Sequence, residues 1–266
     1  QEALAGLPDV LPLPTDRPRP QSQSLRGANF DFEIDSDLRA RLTELARENN
    51  ASLFMVAHAA LAVLLARLSG TDDIAVGTAI EGRGESALDD IVGMFVNTLV
   101  LRTQVDSEAR FADLLAAVRH DDLGAFTHKD VPFERLVEIL QPERSTAFTP
   151  LFQVALAFQN VEQAHVELPG LTIQGLDGGM SSSKFDLQLT LADEDDAMRG
   201  VFTYATDLFD ESTIRGFADR FRWILDAVTT DSAVRVGDID ILGETERRAL
   251  TPVRGKESAD PLTMVE

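Results

Sequence analysis

Cysteine is absent from this sequence of 266 residues. Its absence excludes disulfide bonds, thiolate nucleophiles and metal sites built on cysteine, and it is compatible with a reducing cytoplasm, where we expect the protein. Histidine is scarce as well: His58, His120, His128 and His165 are the only four, and none lies three or four residues from another. The sequence therefore predicts no zinc site, and no bound metal of any kind.

Positive charge is also in short supply. There are 24 Lys and Arg against 45 Asp and Glu, which gives a formal net charge of −21. Such a chain would repel a phosphate backbone or an anionic membrane surface, so we expect neither nucleic acid nor membrane as a partner. The longest apolar run, Leu53 to Leu68, is interrupted by His58 and Arg67 and is too short to span a bilayer. No charged-then-apolar leader opens the chain, so no secretion signal is expected.

What is present is the composition of an ordinary globular protein, with 44% apolar residues. Residues 1–9 have the pattern of a helix end, and four prolines follow within nine positions, from Pro12 to Pro20. Such a proline density favours an extended, stiff segment. We therefore predict a connector over residues 1–24 in a chain cut from something larger, with the folded unit at 25–245.

Hydrophobic periodicity predicts an interleaved order of strands and helices. The predicted strands cover residues 30–34, 73–80, 91–105, 151–159, 185–191 and 199–206. The predicted helices are one capped by Ser36 or Asp37, a buried one at 52–69, one at 107–125, one opened by Pro132, and a long one capped by Asp210. The fold class is α/β in the broad sense, an α+β two-layer sandwich whose mixed sheet has helices packed mainly on one face.

Four features that could carry chemistry have simpler explanations. The segment 179–183 lacks the closing glycine of a nucleophile elbow, and 82–87 fits a loose dinucleotide fingerprint but precedes a strand-like run rather than a helix. The acidic run 193–196 lacks the spacing of a calcium loop and suits a hairpin tip, and His58 on its apolar helix suits a core position. The residues alone predict no catalytic constellation.

Three segments taken together and in order resemble the condensation domains of nonribosomal peptide synthetases. Residues 91–102 resemble the family motif GxFVNTxxxR, 128–134 resemble HxDxPFE, and 144–154 resemble RxxSxxPLFQV. In the third, Ala147 stands where serine is common and Thr149 where asparagine is common. Residues 13–20 and 184–187 also look familial, so the resemblance extends from the connector to about residue 245. The matching motif positions are Gly93, Phe95, Asn97, Thr98, Arg102, His128, Asp130, Pro132, Phe133, Glu134, Arg144, Phe152 and Gln153.

The resemblance implies a half-fold of the chloramphenicol acetyltransferase type. The family has two such lobes around a tunnel, in which the amine of an acceptor attacks the thioester of a donor and forms an amide. The family's HHxxxDG signature lies in the first lobe, and this sequence has no His-His pair. The resemblance therefore implies the carboxy-terminal, acceptor-side lobe, with no catalytic residue of its own and no activity alone, followed at 246–266 by a linker toward an adenylation domain.

The same resemblance implies the partners. These are the missing first lobe, donor and acceptor carrier domains and an adjacent adenylation domain; no cofactor is bound directly, since phosphopantetheine is carried by the carrier domains. The surface that meets the first lobe should be unusually apolar, and it could support self-association.

For the motif residues we expect two groups of roles. Gly93, Phe95, Asn97 and Thr98 are candidates to face the tunnel and its pantetheine arm, although Asn97 could equally tie its strand to a loop. The remaining motif residues are expected to be structural, with ion pairs at Arg102 and Arg144, a helix cap at Asp130 and core packing at Phe152.

Three alternatives stay open. An epimerization-domain lobe would share the fold but carries a different motif where Phe95 to Thr98 stand. A free-standing acyltransferase would need its own base, which the four histidines do not suggest. A non-catalytic lobe that docks carrier and adenylation domains belongs to another functional class, and an intact or ruined HHxxxDG in the upstream coding sequence would separate it from a catalytic parent.

Overall fold

The computed structural model describes residues 2–81, 90–159, 181–193 and 197–250. Its strands are β1 (Arg26–Ile34), β2 (Asp73–Glu81), β3 (Val96–Gln104), β4 (Val154–Gln159), β5 (Ser181–Ser182), β6 (Leu187–Asp193) and β7 (Met198–Ala205). Its helices are α1 (Ser36–Glu48), α2 (Leu53–Ser69), α3 (Phe111–Phe126), α4 (Phe133–Leu140), α5 (Glu211–Thr230) and α6 (Glu244–Leu250), with short 3-10 turns at Glu2–Leu4 and Val236–Asp238.

The described strands form one sheet in the order β3-β2-β4-β6-β7-β1-β5. Strand β4 pairs in parallel with both β2 and β6, whereas β2–β3, β6–β7 and β7–β1 are antiparallel. The sheet is therefore mixed, as predicted. Helices α1, α2, α3 and α5 pack together on one face of it, which confirms the α+β two-layer arrangement.

The main core lies between the sheet and these helices. Every residue of α2 from Met55 to Leu65 is buried, which confirms the prediction from its apolar circumference. On the sheet side, β6 alternates buried and partly exposed residues, with its leucines facing the helices. Phe32, Phe202 and Phe221 meet with ring centroids 5.5–6.4 Å apart, joining β1, β7 and α5.

A second, smaller core covers the opposite face at the β3–β2–β4 end of the sheet. Its buried members are Ala75, Val100, Leu151, Phe152 and Ala155, and α4 packs against them. This explains why the predicted bound of the strand at 151 is wrong: β4 begins at Val154. Val154 packs in the main core, whereas Phe152 packs in the smaller one. Leu151 has a φ of 70°, so the chain turns just before the strand and sends Phe152 to the smaller core.

Several predicted boundaries are also wrong by a few residues. Asp35 caps α1 by accepting from the Leu38 amide at 2.9 Å, in place of Ser36 or Asp37. Strand β3 begins at Val96 rather than at 91, and α3 begins at Phe111 rather than at 107. Residues 82–87, 179–180, 194–196 and 251–266, on which some of these predictions fall, lie outside the described residues, as does His165.

The helices of the described ranges do not individually meet the requirements of a bilayer span. None of them is long and apolar enough to cross a membrane by itself; α1 and α2 meet the length and composition requirements only jointly, and the pair is bent by 102°.

Candidate functional site

One corner of the sheet brings parts of all three motifs together. The Phe133 ring at the start of α4 packs edge-on against Phe152 with centroids 5.8 Å apart, and Phe152 lies 5.3 Å from Phe185. Gly77 of β2 lies directly beneath the Phe152 ring, where no side chain would fit. The motifs that resemble a condensation domain therefore share one packed site, which we call the motif corner: Gly77, Asn97, Phe133, Phe152 and Phe185.

Asn97 links β3 to α4 through its side-chain amide. Its Nδ2 donates to the carbonyls of Lys129 and Val131, both at 2.8 Å. Its Oδ1 accepts from the Phe133 amide at 3.2 Å and from the Thr98 amide at 2.8 Å. Both N–H donors and the oxygen of the Asn97 side chain are therefore hydrogen-bonded to backbone groups. Of the two alternatives left open by the sequence, the contacts support the one in which Asn97 ties strand to loop.

The same bonds correct the prediction for Asp130. Pro132 does open α4, but the helix has no side-chain cap of its own, and the first helical amide, that of Phe133, donates to Asn97 instead. Asp130 is exposed, as is Glu134 in the first turn of α4, where a negative side chain is favoured by the helix dipole. The cap comes from a distant strand, which local spacing cannot reveal.

Asn97→Asp should therefore cost about 1–3 kcal/mol of unfolding free energy, because two backbone carbonyls lose their donor. Asp130→Ala is the control, because Asp130 lies between the two residues whose carbonyls Asn97 binds. It should change the free energy of unfolding by less than about 0.5 kcal/mol, since it removes no described bond. Urea unfolding of both variants measures the difference. Equal losses in the two would show that the Asn97 bonds do not stabilise the corner.

The other candidates for facing a substrate lie near one end of β3. Gly93 is exposed, Phe95 and Thr98 are partly buried, and the Phe95 ring lies over Gly93, 3.1 Å from the position of an added Cβ. The neighbouring apolar side chains are unusually open to solvent: Ile91 is 48% exposed, Val92 101%, Met94 91% and Val96 58%. An apolar rim therefore borders these candidates, as expected of a surface that meets another body.

Arg102 holds an ion pair, as predicted. Its Nε and Nη2 each lie 2.7 Å from the Asp73 carboxylate, and this hydrogen-bonded pairing raises the pKa of the guanidinium above its usual value. Its Nη1 donates to the carbonyls of Ala3 and Ala5. The other predicted ion pair is not found: Arg144 is exposed and pairs with no acid in the described ranges.

A groove of about 920 Å³ follows β3 between α3 and α4. Its walls are mainly apolar, and Arg102 and His128 both contribute to them. His128 is exposed, with Nδ1 3.0 Å from the Gly124 carbonyl oxygen. None of Gly93, Phe95, Asn97 and Thr98 lines the groove. The groove and the candidates for facing a substrate are therefore separate features.

A buried polar pair lies beneath the groove, between α2 and α3. Both His58 and Asp122 are 1% exposed, with His58 Nδ1 3.0 Å and 3.1 Å from the two carboxylate oxygens. Thr103 Oγ1 lies 3.4 Å from Nε2. This confirms His58 as a core residue, but sequence reasoning missed Asp122. The signal was present: Asp122 extends by one turn the stripe of Leu114, Leu115 and Val118.

Residues 1–251 match the family described as the condensation domain. A probable non-canonical nonribosomal peptide synthetase of Salinispora arenicola is 44% identical over 98% of this chain, and a dimodular nonribosomal peptide synthase of Bacillus subtilis is 43% identical over 94%. The chain spans only 3% and 11% of the length of these two relatives.

Among solved structures, the X-domain from teicoplanin biosynthesis is similar to this chain, with 30% identity and a TM-score of 0.82. The match covers 91% of this chain but 55% of the X-domain chain. That X-domain has also been solved in complex with OxyB.

Proposed function

This chain belongs to the condensation-domain family of nonribosomal peptide synthetases, and from that membership we propose that residues 25–245 form the second, acceptor-side lobe of such a domain. The observation that carries the proposal is the coverage: the fold matches nearly all of this chain but about half of the X-domain chain. The absence of a His-His pair from the sequence agrees with it, because the family's HHxxxDG signature lies in the first lobe.

In the intact domain, the acceptor's amine nitrogen attacks the donor's thioester carbon. A C–N bond forms, the C–S bond breaks, and the donor's phosphopantetheine thiol is released. The two arms arrive on carrier domains, so this lobe needs no bound cofactor. Its contribution is to supply one wall of the passage and so to hold the two reacting groups close together. Gly93, Phe95 and Thr98, beside the apolar rim, are the residues we propose for that wall.

Asn97 has a different part in this proposal. Its amide fixes the start of β3 against α4, and it thereby holds the neighbouring wall residues in place without touching substrate. The downstream residues 246–266 would lead toward an adenylation domain, and the cytoplasm is the proposed location.

The chain alone should form no amide bonds, because it lacks the reactive histidine and half of the passage. The test incubates aminoacyl-loaded donor and acceptor carrier proteins with this chain and follows the acceptor-bound product by mass spectrometry. A fusion that places the first lobe of the matching Bacillus subtilis condensation domain ahead of this chain should give product, and the same fusion with the second His of HHxxxDG changed to Ala should not. Turnover by the chain alone would overturn the proposal.

A second function, a non-catalytic docking lobe, is favoured by one observation. The teicoplanin X-domain, which is 30% identical to this chain, forms a complex with OxyB. A lobe of that kind would recruit a partner protein and need no histidine. An upstream coding sequence with a ruined HHxxxDG, together with an inactive native two-lobe protein, would favour docking over amide formation.

A further inference from the structure

The segment 2–24, which the sequence predicts to be a connector, is hydrogen-bonded to the sheet, to α5 and to the loops between them at points along its length. At its amino end, Arg102 Nη1 donates to the carbonyls of Ala3 at 3.1 Å and Ala5 at 2.9 Å. The other edge of the same guanidinium is held by two bonds to Asp73. Because the carboxylate fixes the plane of the fork, the two donors of Nη1 point in a set direction.

Gln153 fastens the next part of the segment. It is 2% exposed, and its Nε2 donates to the Asp9 and Thr149 carbonyls, both at 2.9 Å. Its Oε1 accepts from the Leu11 amide at 2.7 Å. Releasing the segment would leave these buried groups without partners, which is costly. Leu4 and Leu7 add apolar contact with the smaller core.

The proline-rich part is held just as closely. The Asp16 carboxylate accepts from the Asp210 amide at 2.7 Å and from the Thr213 hydroxyl at 2.8 Å, so it caps α5 from a distance. The Asp16 amide donates to the Leu208 carbonyl. Arg19 pairs with the buried Asp186 and donates to the Ala147 carbonyl at 3.2 Å. The prolines therefore stiffen a segment that is already bound.

We propose that residues 2–24 form a strap that moves as one body with this lobe, and that Arg102 and Gln153 are positioning residues that fix the direction in which the chain leaves toward the first lobe. The pivot between the lobes then lies upstream of Ala3 and outside the proline-rich segment. The part of this inference that concerns a first lobe rests on the proposed function. The part that concerns the strap rests on the contacts alone.

Amide hydrogen exchange of the unmodified chain tests the strap. The backbone amides of Leu11, Asp16 and Gln23 all donate to acceptors outside the strap. If the strap is part of the lobe, they should exchange within about tenfold of the slow amides in β2, since they open only with the same unit. Exchange at the rate of an unstructured peptide in all three would show a loose connector and overturn the proposal.

The positioning role is tested in the two-lobe fusion, with the Arg102→Lys and Gln153→Glu variants. Lys has three donors on a single nitrogen and cannot reproduce the four bonds of the planar Arg102 fork, and Glu loses both donors of the Gln153 amide. Each should lower kcat by about 10- to 100-fold with little change in the KM for the acceptor, because misplacement of the lobes affects the reacting geometry. Arg135→Lys, in an exposed pair with Glu138 on α4, is the control and should leave kcat unchanged.

These readouts separate the two proposals. No turnover by the unmodified fusion would count against the proposed function, while the exchange rates would still decide the strap. Unchanged kcat in both variants, measured alongside accelerated exchange at Asp16 and Gln23, would refute the positioning role. An equal loss of kcat in the Arg135→Lys control would do the same.

Discussion

Arg19→Ala should destabilise the fold by about 3–5 kcal/mol, because it leaves a buried carboxylate without its partner. Asp186 is 1% exposed, and Arg19 reaches it from the strap with both terminal nitrogens, one of them 2.8 Å from Oδ1. The two bonds of the guanidinium are charge-assisted, so their loss leaves the carboxylate charge uncompensated. The measurement is the free energy of unfolding from urea titration, monitored by Trp223 fluorescence and by circular dichroism.

Arg199→Ala is the matched control. Arg199 pairs with Asp31 across two strands, but both side chains are more than half exposed, so the loss should be below about 1 kcal/mol. Replacing both partners, with Arg19→Met and Asp186→Leu together, should recover most of the stability lost in the single variant, because no unpaired charge remains. A loss in Arg19→Ala no larger than in Arg199→Ala would contradict the expectation.

Gly77→Ala should cost about 1–3 kcal/mol through overpacking of the motif corner. An added Cβ would lie 2.1 Å from Cε2 of the Phe152 ring, and the ring cannot move aside freely because Phe133 and Phe185 pack against it. A backbone shift in β2 or an unfavourable Phe152 rotamer must follow. Urea unfolding gives the size of the effect.

Gly124→Ala is the matched control and should stabilise the protein instead of destabilising it. Gly124 lies in α3 with nothing within 4 Å of an added Cβ, so this variant should gain about 0.5–1 kcal/mol from helix propensity. The double variant Gly77→Ala with Phe152→Leu should lose less than the sum of its single variants, since the smaller side chain relieves the clash. A Gly77→Ala variant as stable as the unmodified chain would show that the corner tolerates extra volume.

Periodicity predicted the elements whose environment is uniform along their length. Helix α2 is apolar all round and buried all round, and the alternating leucines of β6 define its core face. It failed where a chain reversal precedes an element, as at Leu151, or where adjacent residues can each serve as a cap, as at Asp35. These outcomes depend on which tertiary contact is formed, and that information is not local.

The candidate site shows the same division. The three motif segments can be found in the sequence, and so can the ion-pairing character of Arg102. The place where these segments meet cannot be found in the sequence. Asn97 bonds to residues more than thirty positions away, and Gln153 bonds to residues about 140 positions away. Asp122 was missed for a related reason: a carboxylate on a helix is expected at the surface unless its partner, His58 on another helix, is known.

The fastening of residues 2–24 bears on how synthetases of this family can be recombined. A chimera joined inside the proline run would bring the backbone at Asp9 and Leu11 from one parent to the Gln153 site of another. A junction just after Arg19 would also separate Arg19 from its own Asp186. If the two parents differ at these contacts, the buried side chains of Gln153 and Asp186 would lose their hydrogen-bond partners. A junction upstream of Glu2 would transfer residues 2–24 together with the residues that they bond. We therefore expect chimeras joined there to be more stable than chimeras joined inside the proline run.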